Sequence, residues 1–348
     1  MGYVYVLSAT NRQVSVIDTK THALIAVNQV TNAGDGNGIV VTPNGQFVYI
    51  VSFLLFTPFS NVAVFDTKTH SRIANIRIPV GNGINVNNKN LIAVTPDGRY
   101  VYIVVRSINT LVAVICTKTH DLIGTLLFGG DAQEIRISPN SQFAYIATSS
   151  PNQVITIDIK TNKVINILSK SNIAANRLAL TPDGQSLYIS LFTNEVLVID
   201  SKTYALISKL NVTEPFLFAF TSDSRYAYIT SRNGEVTVVD VKSNTIMGKF
   251  NLGSGSLRLA VSPQNKWVYI LESMHGRVYA IETKSNRVVA TISVPSPIDL
   301  RITPDSQYVY TISNDAGSGA VYTIDTKTNR IVAKTLINSN PRVIAITP

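Results

Sequence analysis

Short apolar runs separated by polar clusters extend along the whole chain. Val196-Leu197-Val198-Ile199 is one such run, closed by Asp200-Ser201-Lys202-Thr203. Val, Ile, Leu, Tyr and Thr dominate the runs, as half-buried sheet positions favour. No segment carries a 3.6-residue apolar period, so the pattern predicts an all-β protein. The most apolar stretch, Tyr100 to Cys116, is interrupted by Arg106, Ser107, Asn109 and Thr110. It reads as two strands and a turn. No stretch approaches the roughly 18 uninterrupted apolar residues of a membrane-crossing helix, so no membrane span is expected.

The runs recur with a long period. Asp-Thr-Lys-Thr or a near variant begins at Asp18, Asp66, Cys116, Asp158, Asp200, Asp240, Glu282 and Asp325, at intervals of 48, 50, 42, 42, 40, 42 and 43 residues. A second marker is Thr/Ser-Pro followed by a turn and a Tyr-containing run, clearest in Thr95-Pro96-Asp97-Gly98-Arg99-Tyr100-Val101-Tyr102-Ile103. Further copies begin at Thr42, Ser138, Thr181, Thr221, Ser262 and Thr303, and Thr347-Pro348 starts another. The strand this last copy lacks is Tyr3-Val4-Tyr5-Val6, at the other end of the chain.

Repeats of about 40 residues with four strands each mark a β-propeller. We therefore expect one eight-bladed β-propeller domain over residues 1–348, with four antiparallel strands per blade and the N-terminal strands completing the C-terminal blade. In the period around Thr181, Arg177–Leu180, Ser186–Leu191, Glu195–Ile199 and Ala205–Leu210 are the expected strands. Pro182-Asp183-Gly184 supplies the first turn. The marker Asp is expected to accept backbone N–H bonds inside its own turn.

These two markers, with Tyr228-Ile229-Thr230-Ser231 and Val196-Leu197-Val198-Ile199-Asp200-Ser201-Lys202-Thr203, resemble the YVTN-type β-propeller repeat family across essentially the whole chain. The resemblance implies the fold and an extracellular, surface or periplasmic location. Propellers of this kind include lactonases, a streptogramin-cleaving lyase, cofactor-bearing dehydrogenase subunits and a DNA-binding protein, and many are described as seven-bladed.

Composition narrows the chemistry. The chain has 348 residues, 45% hydrophobic, with one Cys and a net charge of +9. One Cys excludes an intramolecular disulfide framework and a Cys-cluster metal site. Met1-Gly2-Tyr3-Val4-Tyr5 lacks the basic-then-apolar layout of a signal peptide, so none is expected in this chain. Of the histidines, His22, His70 and His120 follow equivalent Thr-Lys-Thr markers and are expected at separate blade rims. His275, in Ser273-Met274-His275-Gly276, falls in a turn on the variable face, where an acid or base is useful. No metal, cofactor or nucleophile motif is visible, so no cofactor, no metal and no catalytic residue is expected.

Two regions are candidates for binding. The long first period contains Phe53-Leu54-Leu55-Phe56-Thr57-Pro58-Phe59, and Phe53, Leu54, Leu55, Phe56 and Phe59 form an apolar partner-binding candidate or a flap over their own blade. The second long period contains the polar loop Gly81 to Asn90. In the innermost strands, the position two before the marker is small except at Arg136 and Arg301, four repeats apart. The position four before adds Glu134, Arg177, Arg258 and Asp299. Arginines at a channel mouth suit carboxylate or phosphate, yet Arg136 with Glu134 and Arg301 with Asp299 share a strand face and are expected to pair. That leaves Arg177 and Arg258 for an anion.

The sequence-level reading is a noncatalytic recognition scaffold that binds a protein, glycan or surface partner through its variable loops. Alternatives are a lactonase-like hydrolase or lyase at the channel mouth, and binding of single-stranded DNA or another anionic polymer. The charge of +9 leaves nucleic acid open.

Overall fold

The computed structural model describes residues 2–8, 12–30, 35–53, 59–79, 91–106, 110–169, 175–253 and 257–348. The chain forms two compact units, Met1–Asn172 with Leu336–Pro348, and Ile173–Thr335. Eight antiparallel four-stranded sheets make the blades of an eight-bladed β-propeller, as expected. A three-residue 3-10 turn is the one helical element among the described residues.

In the first unit, blade I is formed by Pro341–Ile346 (β32), Tyr3–Ser8 (β1), Gln13–Asp18 (β2) and Leu24–Gln29 (β3). Blade II has Asp35–Val41 (β4), Phe47–Phe53 (β5), Phe59–Asp66 (β6) and Arg72–Pro79 (β7). Blade III has Ile92–Val94 (β8), Tyr100–Arg106 (β9), Thr110–Cys116 (β10) and Leu122–Phe128 (β11). Blade IV has Asp131–Ile137 (β12), Phe143–Ser149 (β13), Gln153–Asp158 (β14) and Lys163–Ser169 (β15).

In the second unit, blade V has Ala175–Leu180 (β16), Ser186–Leu191 (β17), Glu195–Asp200 (β18) and Leu206–Asn211 (β19). Blade VI has Pro215–Phe220 (β20), Tyr226–Ser231 (β21), Glu235–Asp240 (β22) and Thr245–Asn251 (β23). Blade VII has Leu257–Val261 (β24), Trp267–Glu272 (β25), Arg277–Glu282 (β26) and Arg287–Ser293 (β27). Blade VIII has Pro297–Ile302 (β28), Tyr308–Ser313 (β29), Ala320–Asp325 (β30) and Arg330–Leu336 (β31). The split blade is real: Val4 to Leu7 of β1 pair with Val343 to Ile346 of β32.

Each marker has a structural reason. In blade III the Thr95 hydroxyl donates to Asp97 Oδ1 (2.6 Å) and accepts the Tyr100 N–H (3.0 Å). Gly98 closes that turn at φ +72°, a conformation that disfavours a side chain. At the other marker, Asp66 Oδ1 accepts the N–H groups of Lys68 (3.0 Å) and Thr69 (2.7 Å). The Asp therefore caps its own turn, as expected.

The two middle strands of each blade are the buried ones, and the fourth strand is largely exposed. Eight tyrosines, Tyr5, Tyr49, Tyr102, Tyr145, Tyr188, Tyr228, Tyr269 and Tyr310, are among the largest fully buried side chains. Their hydroxyls are buried too and need partners. Within the second unit, Tyr188, Tyr228 and Tyr269 donate to Oδ1 of Asn244 (2.9 Å), Asn286 (2.5 Å) and Asn329 (2.6 Å) in the next blade. Within the first unit, Tyr102 donates to Asn162 Oδ1 (2.5 Å). These bonds tie neighbouring blades together through the marker turn. No helix among the described residues is long and apolar enough to cross a membrane.

Candidate anion and ring site on blades V to VIII

The candidate site grows from an irregularity at the start of β20. Pro215 pairs with Ser231 and Leu217 with Thr230, so Phe216 is an extra residue outside the ladder. Such a bulge re-aims its side chain. The same step recurs between Ala175 and Arg177 in β16 and between Pro297 and Asp299 in β28. It is a property of the repeat, and what stands on it differs from blade to blade.

Three guanidiniums gather on the Phe216 ring. Arg177 of β16, Arg232 of the β21–β22 turn and Arg258 of β24 lie 4.8, 5.1 and 5.9 Å from its centroid. Two of the guanidiniums bond backbone carbonyls, and the third arginine sits in a hydrogen-bonded turn. Arg177 Nη1 donates to the Asn176 carbonyl (3.4 Å), and Arg258 Nη1 donates to the Leu257 carbonyl (3.2 Å). The Arg232 N–H donates to the Glu214 carbonyl (3.1 Å), and Gly234 closes the turn onto Ser231 (3.2 Å). Phe216, Arg177 and Arg258 are half-buried, whereas Arg232 is exposed.

Cation–π contacts of this kind contribute about 0.5–1 kcal/mol each at partly exposed sites. Three cations around one ring also repel one another, and salt screens that repulsion. Burial holds Arg258 below the usual arginine range. Asp299 counteracts that shift and Arg301 adds to it. An anion among the guanidiniums would remove the repulsion and gain charge-assisted hydrogen bonds.

Asp299 is buried and 3.1 Å from Arg301 Nη1, which also donates to the Leu300 carbonyl (2.7 Å). Arg301 and Asp299 are thus paired. In the first unit, Arg136 is paired with the buried Glu134 and donates to the Ile135 carbonyl (3.1 Å). Both pairs are those expected from the strand spacing.

His275 lies beyond the end of β25, at the same end of blade VII as Arg258, since Leu257 pairs with Glu272. The buried Glu272 carboxylate accepts the N–H groups of Met274 (2.6 Å) and His275 (3.0 Å), and it meets His275 Nδ1 at 3.1 Å. With Nδ1 engaged, Nε2 is the ring nitrogen open to a ligand. Among the described residues, no three His, Cys, Asp or Glu side chains form a metal cluster.

The apolar segment is placed only in part. Phe53 ends β5 and Phe59 opens β6 at 40% exposure, while Leu54, Leu55 and Phe56 lie outside the described residues. The polar loop from Gly81 to Asn90 also lies outside them. His70 and His120 serve structure, their Nδ1 atoms hydrogen-bonded to the hydroxyls of Tyr5 (2.9 Å) and Tyr49 (2.7 Å).

Phe216, Arg232 and Glu272 were not singled out from the sequence. Phe216 stands five residues before its marker, one beyond the positions compared between repeats. A signal for it was present: Phe216, Phe218 and Phe220 alternate in β20. Phe218 and Phe220 pack on Tyr188, with ring centroids 6.2 and 5.1 Å away. Phe216 is left for another purpose.

Comparison with known proteins bears on this region. The family model for the cytochrome D1 heme domain matches residues 217–299, about a quarter of the chain. That segment contains Arg232, Arg258, Glu272, His275 and Asp299. A seven-bladed β-propeller protein of Mycobacterium tuberculosis is 30% identical over 113 residues, which is 32% of this chain and 26% of that protein. The chain therefore matches about a quarter of that relative's length.

Among solved structures, the dihydro-heme d1 dehydrogenase NirN in complex with DHE superposes with a TM-score of 0.80 at 16% identity, covering 99% of this chain and 74% of that one. Hydrazine synthase of Kuenenia stuttgartiensis gives a TM-score of 0.65 at 19% identity, over 85% of this chain and 97% of that one. These likenesses show the β-propeller fold.

The expectation of a noncatalytic scaffold working through its variable loops is overturned here. The matching family model is a heme domain, and NirN and hydrazine synthase are enzymes by their descriptions. The physical counterpart lies at the ends of the first strands. Charge collects there around Phe216, whereas the scaffold reading relied on the rim segment near Phe59.

Proposed function

We propose that this protein is a heme-related, enzyme-like propeller. On this reading, blades V to VIII bind a planar tetrapyrrole carrying several carboxylates. The observation that carries the reading is the set of three guanidiniums on one phenyl ring. Arginine forks suit carboxylates, and a phenyl ring offers an apolar face to a macrocycle. The match of residues 217–299 to the cytochrome D1 heme domain supports the same ligand class.

The residues present fit such a group. Arg177, Arg232 and Arg258 would hold its carboxylates, and His275 Nε2 is a nitrogen suited to a metal at its centre. Glu272 sets the tautomer and orientation of that imidazole. Bound there, the metallated ring would supply one-electron chemistry. The chain's own part is to bind, to orient and to concentrate positive charge. The YVTN-type character of the repeats belongs to this proposal, supported by Tyr228-Ile229-Thr230-Ser231, and an extracellular, surface or periplasmic location goes with it.

The test is a Soret-band titration of the protein with heme d1 and with an iron porphyrin bearing free carboxylates, beside the fully esterified porphyrin. The free acids should bind and the ester should not. Arg232→Ala should weaken binding about tenfold or more, because a hydrogen bond to a charged group contributes about 1.5–3 kcal/mol. Equal binding of acid and ester, or no binding of either acid, would overturn the reading.

A further inference from the structure

The inter-blade locks come in two chemistries, carboxamide and imidazole. Each lock joins a fully buried tyrosine hydroxyl to the residue that ends the next blade's marker turn. That residue has positive φ, as at His70 (56°), His120 (60°), Asn244 (52°), Asn286 (54°) and Asn329 (54°). Asn and His are the residue types that tolerate this conformation best after Gly.

At the Asn junctions the tyrosine donates to a carboxamide oxygen, which accepts at any physiological pH. At two further junctions the partner is imidazole Nδ1. Tyr5 reaches His70 across blades I and II, and Tyr49 reaches His120 across blades II and III. With the phenol donating as it does elsewhere, His70 and His120 carry their proton on Nε2. An imidazole nitrogen accepts only while neutral.

We propose that the His70 and His120 junctions form a proton-sensitive latch on both sides of blade II. Protonation turns each Nδ1 into a donor, and the buried hydroxyl loses its acceptor. An unsatisfied buried hydroxyl is costly, so each junction weakens as its histidine charges. Blade II is thereby loosened from both neighbours at once.

The surroundings set the balance. Tyr3 packs edge to face on His70 (4.5 Å) and Phe47 on His120 (4.7 Å), so both rings are shielded from water. Burial holds both histidines below the usual value, while Asp66 acts against that shift at His70 and Asp121 at His120. Cys116 lies near Tyr49, and Asp66 and Tyr3 near Tyr5. The blade I–II junction keeps two bonds whose groups do not titrate here, Asn28 Nδ2 to the His70 carbonyl (2.8 Å) and Arg72 Nη1 to the Val30 carbonyl (3.0 Å). Protonation therefore loosens that junction without abolishing it.

The direction in pH follows. A histidine with a lowered folded-state pKa takes up protons more readily in the unfolded chain. Its contribution to stability is complete above the ordinary value near 6.5 and is lost as pH falls through the lower folded value.

The experiment is thermal unfolding of the full chain between pH 7.5 and pH 5, with limited proteolysis at each pH. The wild-type Tm should fall on acidification by about 2–4 °C for each lock weakened, with cleavage appearing first around blade II. His70→Asn/His120→Asn installs the acceptor that the chain itself uses at Asn244, Asn286 and Asn329. Its Tm slope over this range should shrink. Conversely, Asn286→His should add pH sensitivity to the second unit. An unchanged slope in the double variant overturns the proposal. So does an Asn286→His protein whose slope matches the wild type.

Discussion

Phe216 stands one residue outside its strand ladder, and this displacement sets what it meets. Replacing it by Leu keeps an apolar side chain but removes the ring's negative face. Stability should change by less than about 1 kcal/mol, while the three arginines lose their shared anchor. A several-fold rise in Kd for a carboxylated porphyrin, with an unchanged urea midpoint, would show this. Cys116 makes a different residue-scale case. It occupies the place of the marker Asp. Burial pushes its thiol up, but the N–H groups of Thr119 and Lys118 with the Thr119 hydroxyl outweigh that and bring it down. The turn is built for an anion and carries a thiol. Cys116→Asp should restore the carboxylate cap and raise the urea midpoint slightly, by less than about 1 kcal/mol of stability.

Among elements, the marker turns share one acid response. Backbone and side-chain bonds from Thr69, Thr203 and Ser243 hold Asp66, Asp200 and Asp240 below the usual carboxylate range. Their contribution is present above the unfolded value near 3.9 and is lost as pH falls through the lower folded values. Each turn is exposed and contributes little singly. A second drop in Tm should therefore appear below about pH 4, separate from the histidine range. Its absence in a pH scan would show that these turns do not couple to unfolding.

Strand positions were legible at this scale because the markers bound every run. Ser186–Leu191 was placed without error, and Glu195–Asp200 within one residue. The site was legible by halves. Arg177 and Arg258 stood out as large charges where the repeat keeps small or apolar residues. Arg232 did not, because it lies in a turn whose residues have no period to violate. Phe216 was hidden by the bulge, which shifts the count between marker and side chain by one.

For the whole molecule, both ends of the chain meet in one sheet. β32 lies beside β1, and Val343 and Ala345 pack with Tyr5 and Leu7. Cutting the chain after Leu336 would expose the edge of β1 and uncover that cluster. An open apolar strand edge favours association with other chains. The shortened protein should unfold at a lower urea concentration and elute as oligomers. Adding the Pro341–Pro348 peptide should reverse part of the loss, and failure to do so would show that the pairing is dispensable.

The tyrosine locks have one further consequence. Blade II carries both halves of the device, offering Tyr49 to one neighbour and His70 to the other, and blade VI does the same with Tyr228 and Asn244. Copying one whole repeat within a gene of this design adds one donor and one acceptor in matching order, and losing one removes both. Blade number can thus change by duplication or deletion without any junction being reinvented. A seven-bladed relative and an eight-bladed chain can descend from the same short ancestral unit.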